Sequence, residues 1–205
     1  YEFINNDRIS LIIAETLNQY LYVFEENKPS IIKDKFGNFS LINKVFQRCY
    51  LNDKNTKTYF RNLINSQKEE YSRYIFFYIN YLIENDEYDE AKKITDNLDY
   101  LNSSLLISQG KKWIDDQKFE EFKKIFSCSN TTDITSEFFF LVSNLYSSQE
   151  NYEKANFYLN ISNYLNPRFK FNLSLLAENH YLNKNYTKTL KILESFNKKD
   201  EFYYW

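Results

Sequence analysis

Glycine and proline are nearly missing, with two of each in 205 residues. Strand-connecting turns draw heavily on both, so this supply disfavours a sheet-rich chain and favours helices throughout. With Gly37 and Gly110 as the only glycines, neither the phosphate-cradling GxxxxGK[ST] nor the dinucleotide-binding GxGxxG can be written. Histidine occurs once, at His180. A metal centre or a Ser–His–Asp constellation built on it lacks companions at usable spacing. It stands where the preceding helix of the same kind has Tyr146, and so reads as a packed, aromatic-like position. Cys49 and Cys128 show no CxxC or metal spacing and read as two free, half-buried thiols rather than a disulfide.

No apolar run approaches the length of a membrane span. Basic residues are not in excess: 26 Lys+Arg stand against 28 Asp+Glu, so nothing neutralises a phosphate backbone and nucleic-acid binding is disfavoured. Methionine is absent, even from the first position. The chain therefore reads as a processed or excised piece, and the lack of a signal peptide leaves its compartment open. No cofactor is expected, and carboxylate pairs such as Asp115–Asp116 fall at helix–helix turns as ordinary solvated acids.

What is abundant is aromatic: 19 Tyr and 19 Phe, alongside a mean hydropathy of −0.63. Asn, Lys, Ile, Tyr and Phe together suggest coding bias rather than a stacking surface. Six Asn-x-Ser/Thr triplets, at Asn38, Asn102, Asn130, Asn160, Asn172 and Asn185, are what chance supplies in such a composition.

The aromatics recur. Tyr152 returns as Tyr186, at 186 − 152 = 34, and Leu159 as Leu193, Val142 as Leu176 and Ser143 as Ala177 keep the same offset. Tyr152-Glu-Lys-Ala155 is echoed by Tyr88-Asp-Glu-Ala91 and Phe119-Glu-Glu-Phe122. The leading aromatics stand at 88, 119, 152 and 186, so the intervals are 31, 33 and 34. Two runs of helical periodicity lie inside each interval, which is the mark of a helix-pair repeat. Helices are predicted near 70–85, 88–98, 103–115, 118–127, 134–149, 152–165, 169–183 and 186–196. Further helices are predicted at 7–24, 40–51 and 56–64. Residues 1–68 have helical-hairpin rhythm without a readable signature, as degenerate repeats or as a cap. Residues 69–205 divide into repeats at about 72–102, 103–135, 136–169 and 170–203.

Phe139, Val142, Ser143, Tyr146, Tyr152, Ala155, Leu159 and Pro167 fall in the order and spacing of the tetratricopeptide repeat (TPR). The segment 136–196 resembles that family clearly, and 72–135 resembles it in degenerate form. Gly110 stands where the family has a small residue, while Ile79 and Phe122 depart from its pattern. The resemblance implies an all-α fold, a right-handed α-α superhelix whose first helices line a concave groove. It implies a non-catalytic scaffold that binds a peptide or partner helix. Its groove positions, carried onto this chain, are Arg73, Phe76, Asn80 and Glu84; Ile107, Lys111 and Asp115; Phe140, Asn144 and Ser148; and Ser174, Glu178 and Leu182. Their mixed charge offers no ladder of cations for a C-terminal carboxylate. The alternative is a helical accessory domain of a larger enzyme or peptide-sensing regulator. The aromatic end, Phe202-Tyr203-Tyr204-Trp205, stands where a polar cap is expected. It suggests a native protein that continues, and self-association through that end.

Overall fold

The structure is a computed structural model, describing residues 8–33, 35–65, 72–98 and 105–196. Among the described residues there are eleven α-helices and no strand. In chain order they are α1 (Arg8–Glu26), α2 (Asn38–Tyr50), α3 (Thr56–Asn65), α4 (Ser72–Glu84), α5 (Tyr88–Asp96) and α6 (Leu105–Asp115). There follow α7 (Phe119–Ile125), α8 (Thr131–Ser147), α9 (Tyr152–Leu165), α10 (Phe171–Leu182) and α11 (Tyr186–Leu193). Each answers a helix expected from periodicity, and α9 matches its expected bounds at both ends. The terminal aromatic segment 202–205 and the triplet at Asn102 lie outside the described residues.

One turn recurs. Asn52, Asp86, Gln117, Glu150 and Lys184 all have positive φ, between 47° and 59°. At each, the amide of that residue donates to the carbonyl three residues back, at 2.9–3.1 Å. The following amide donates to the carbonyl five residues back: Asp53 to Arg48, Glu87 to Leu82, Lys118 to Trp113, Asn151 to Tyr146 and Asn185 to His180, at 2.7–2.9 Å. This paired bonding is the Schellman closure, which satisfies the last carbonyls of a helix. In the last four turns the next helix begins two residues after the left-handed residue, at Tyr88, Phe119, Tyr152 and Tyr186. The interval from Asn52 to Asp86 is 86 − 52 = 34, so the α2–α3 hairpin closes at the spacing of the later ones.

The chain forms two compact units. The first runs to Phe119 and takes in Ser127–Thr131; the second comprises Glu120–Phe126 and everything from Thr132. The expected division near residue 68 falls inside the first unit.

In the first unit each helix from α1 to α6 packs on its neighbour in the chain, and α4 also packs on α6. Its interior is aromatic: Phe60 stacks on Tyr78 at 5.2 Å, Phe46 meets the edge of Phe77 at 5.8 Å, and Phe76 meets Trp113 at 6.4 Å. Val45, Ile79 and Gly110 are buried, each seven residues before its turn residue. A disulfide joins Cys49 at the end of α2 to Cys128 in the α7–α8 loop, with Cα atoms 5.7 Å apart. The expectation of two free thiols is therefore corrected. The partners are 79 residues apart, and no spacing rule links cysteines so distant.

In the second unit Phe140, Leu159 and Leu176 form a buried cluster, packed by Leu173, Leu175 and Ile192. The small side chains Ser143 on α8, Ala155 on α9 and Ala177 on α10 are all buried. Several polar groups in this interior are matched, although the Ser143 hydroxyl, Asn156 Oδ1, Asn166 Oδ1 and Asn179 Nδ2 are buried without a hydrogen-bond partner among the described residues. Ser136 donates to the Ser162 carbonyl at 2.8 Å, Asn172 donates to the Ser162 hydroxyl at 3.0 Å, and Asn166 donates to the Ile125 carbonyl at 2.9 Å. Arg168 donates to both oxygens of the buried Asp133, at 2.7 and 2.9 Å.

Candidate binding surface

The first helix of a hairpin places residues at ten, six and two positions before its turn residue on one line, because steps of four return nearly to the same azimuth. In the second unit these are Phe140 and Asn144 on α8 with Ser148 just past its end, and Ser174, Glu178 and Leu182 on α10. Phe140 is buried in the core cluster. Asn144 is half-buried, and Ser148, Ser174, Glu178 and Leu182 are exposed. The hydroxyls of Ser148 and Ser174 donate to the carbonyls of Leu145 and Phe171 on their own helices, at 2.9 and 2.6 Å. Asn144, Glu178 and Leu182 supply the side chains with groups left to offer.

In the first unit the same positions on α4 and α6 behave differently. Phe76, Asn80 and Ile107 are buried, so with Phe140 they belong to the packing and are withdrawn as groove residues. The reason is visible at α4, which is covered by α6. Arg73 lies over the Phe77 ring at 5.4 Å, and Glu84 is half-buried. Lys111 is half-buried and donates to Asp96 at 2.7 Å, an ion pair that lowers the Asp96 pKa. Asp115 is exposed.

Sequence reading missed one charged constellation. Lys57 and Arg61 on α3 face Glu87 and Glu90 at the start of α5: Lys57 pairs with Glu87, and with Glu90 at 3.1 Å, and Arg61 pairs with Glu90. The Tyr78 hydroxyl donates to Glu90 at 2.8 Å. Burial pushes the Glu90 carboxyl up, but the hydrogen bonds from Tyr78, Arg61 and Lys57 outweigh it and hold the pKa at about 2. Burial and the bond to Glu90 push the Tyr78 hydroxyl up. The i,i+4 spacing of Lys57 and Arg61 and the i,i+3 spacing of Glu87 and Glu90 were the available signal. An open cleft of about 550 Å³ beside them is lined by Arg61, Asp89, Glu90, Lys93, Ile94 and Asn97. Glu90 accepts from three donors, so this cluster fastens α3 to α4 and α5.

His180 is half-buried on α10, with Nδ1 3.5 Å from Asn156 Nδ2 on α9. Burial first, and Lys188 second, lower its pKa. It is less buried than Tyr146, its counterpart on α8, which is 4% exposed. Among the described residues no group of three His, Cys, Asp or Glu could hold a metal ion, and no helix is long and apolar enough to cross a membrane. The chain matches no protein-family model, no curated protein and no solved structure.

Proposed function

We propose that this chain is a non-catalytic protein-interaction scaffold, a TPR-like helical-hairpin solenoid that binds a peptide or partner helix along its first helices. The observation carrying this reading is the recurrence of one hairpin. Five Schellman closures follow at intervals of 34, 31, 33 and 34, and each of the last four is followed by an aromatic that opens the second helix. A repeated hairpin repeats its surface, so Asn144 on α8 and Ser148 just past its end are answered by Glu178 and Leu182 on α10, at the same offset of 34. Such a ladder suits an elongated ligand. With the interior positions removed, the contact set narrows to Asn144, Ser148, Ser174, Glu178 and Leu182, with Arg73, Glu84, Lys111 and Asp115 as the corresponding first-unit set.

The test is selection of a displayed peptide library on the chain, followed by fluorescence anisotropy with the selected peptide. Asn144→Lys with Glu178→Lys is expected to weaken binding at least tenfold. Asn160→Lys, on the exposed face of the second helix α9, is expected to change it less than twofold. An empty selection, or equal sensitivity to Asn160→Lys, overturns the proposal.

A further inference from the structure

A small cavity in the first unit is lined by hydrogen-bond donors. It encloses about 160 Å³ between the loop that follows α1, the middle of α2 and the first turn of α3. Lys44 and Arg48, one turn apart on α2, line it together with Ser30 of the loop and Tyr59 of α3. The lining holds these two cations and no carboxylate, in a chain whose net charge is −2.

Its loop wall is fixed by buried side chains. The Pro29 ring sets the backbone before Ser30. The Ser30 amide donates to Gln47 Oε1 at 3.0 Å, and the Ser30 hydroxyl accepts from Gln47 Nε2 at 2.8 Å. Gln47 is 2% exposed, and its Nε2 also donates to Asn43 Oδ1 at 3.1 Å. Gln47 Oε1 is thus satisfied by the amide, and the Ser30 hydroxyl proton can turn from it, 3.1 Å away, toward the cavity. Further along the loop, the buried Ser40 donates to the Lys33 carbonyl at 3.1 Å. On the facing wall Arg48 is held by one nitrogen. Its Nη1 donates to Asp53 at 2.7 Å, and its Cζ lies 5.5 Å from the centre of the Tyr59 ring. Among the described residues Arg48 Nε and Nη2 have no partner, and neither has the Tyr59 hydroxyl. Nε and Nη2 form the edge of a guanidinium that grips an oxyanion through two parallel bonds.

The volume equals that of about five waters, at roughly 30 Å³ each. It is well below the roughly 300–1,000 Å³ of sites that enclose a whole drug-sized molecule. One charged group fits, with the rest of its carrier outside. The Arg48 edge, Lys44, Ser30 and Tyr59 offer more donors than the two oxygens of a carboxylate can use, and a phosphoryl group presents a third. We infer that this cavity binds a phosphoryl group, with the Arg48 fork and Lys44 on its charge and the Ser30 and Tyr59 hydroxyls donating to its oxygens. Inorganic phosphate and a phosphate monoester share this chemistry. The site uses none of the first-helix ladder, so either can fail without the other.

Nuclear magnetic resonance of the whole labelled chain tests it, following the Ser30 amide and the Gln47 carboxamide as inorganic phosphate or O-phosphoserine is added at constant ionic strength. Saturable shifts at both groups are expected, with affinity rising as pH passes about 6, where a phosphoryl group takes its second charge. Arg48→Gln is expected to weaken binding at least about tenfold, through loss of charge-assisted bonds. Tyr59→Phe keeps the ring beside Arg48, removes one bond and should weaken binding about fivefold. Lys191→Gln, exposed on α11 in the second unit, should change it less than about twofold. O-phosphoserine bound more tightly than phosphate assigns a monoester as the ligand, and equal affinity assigns free phosphate. Absence of saturation at Ser30 and Gln47 overturns the inference. So does equal sensitivity to Lys191→Gln, or acetate bound as tightly as phosphate.

Discussion

Removing the Cys49–Cys128 disulfide perturbs the first unit at one defined place. The bond closes a loop of 79 residues, and both sulfurs lie in the interior. Freed of the bond, the unfolded chain regains loop entropy of about 15 cal/mol/K, which is about 4.5 kcal/mol at 25 °C. Residual contacts in the unfolded chain reduce that figure, so a loss of about 3–4 kcal/mol is expected. Against total stabilities of about 5–15 kcal/mol this is a large share. The variant is Cys49→Ala with Cys128→Ala, chosen because alanine leaves no buried hydroxyl without a partner. Urea unfolding followed by circular dichroism, with and without dithiothreitol, measures the loss. The thermal midpoint should fall by about 10 °C, at about 2–4 °C per kcal/mol for a chain of this size. The reduced parent should match the double variant. Two thiols alkylated in the native, unreduced protein would show that the bond does not form. A bond present by mass but worth less than about 1 kcal/mol would refute the entropic reasoning.

Two further outcomes follow from the turns and the charge cluster. Glu150 holds a φ of 58°, which costs a side chain with a Cβ about 1–2 kcal/mol, whereas glycine gives back about 0.5–1 kcal/mol in chain entropy. Glu150→Gly should therefore stabilise the protein by about 0.5–1 kcal/mol in urea unfolding, and a destabilised variant would contradict the turn geometry. Glu90 has its pKa depressed from 4.5 to about 2 in the folded state. Its contribution is complete above the unfolded value near 4.5 and is lost as pH falls from there toward about 2. With its side chain 28% exposed, screening leaves an expected contribution of about 2 kcal/mol. Glu90→Gln should flatten the fall in thermal midpoint between pH 5 and 3 (roughly the span of that titration), and an unchanged acid limb would assign the pairing no role.

Much of the fold was legible because aromatic and small residues mark the helix crossings. Tyr152, Ala155 and Leu159 gave the register of α9, and the residues three beyond each leading aromatic, Ala91, Phe122, Ala155 and Thr189, are all buried. The α2–α3 hairpin was not legible as a copy. Two residues after its turn stands Lys54, where the later copies have Tyr or Phe, and five residues after it stands Lys57, where they have Ala, Phe or Thr. Its turn was hidden as well. A Schellman closure is read from glycine, and here the left-handed position is taken by Asn, Asp, Gln, Glu and Lys in turn. Asn and Asp visit that region with modest strain, but Gln, Glu and Lys do so only because the flanking helices force it. The disulfide left no trace either, since two cysteines in 205 residues carry no pattern.

The candidate surface was legible in position but not in depth. Four-residue steps along a first helix identify a line of side chains, yet they do not say how far the neighbouring hairpin reaches across it. Phe140 clusters with Leu176 of the following first helix, so the position ten residues before the turn is consumed by packing. Ser174, the same position on α10, is exposed. Packing on α8 therefore takes the start of the line and leaves the portion nearer the turn. The residues left there are amide, hydroxyl, carboxylate and one leucine, a set that hydrogen-bonds an extended backbone more readily than it buries an apolar anchor. Exposed polar contacts each contribute only about 0.5–1.5 kcal/mol. A ligand held by this ladder must therefore engage successive hairpins together, and its affinity should rise with the number of repeats it spans rather than with any single contact.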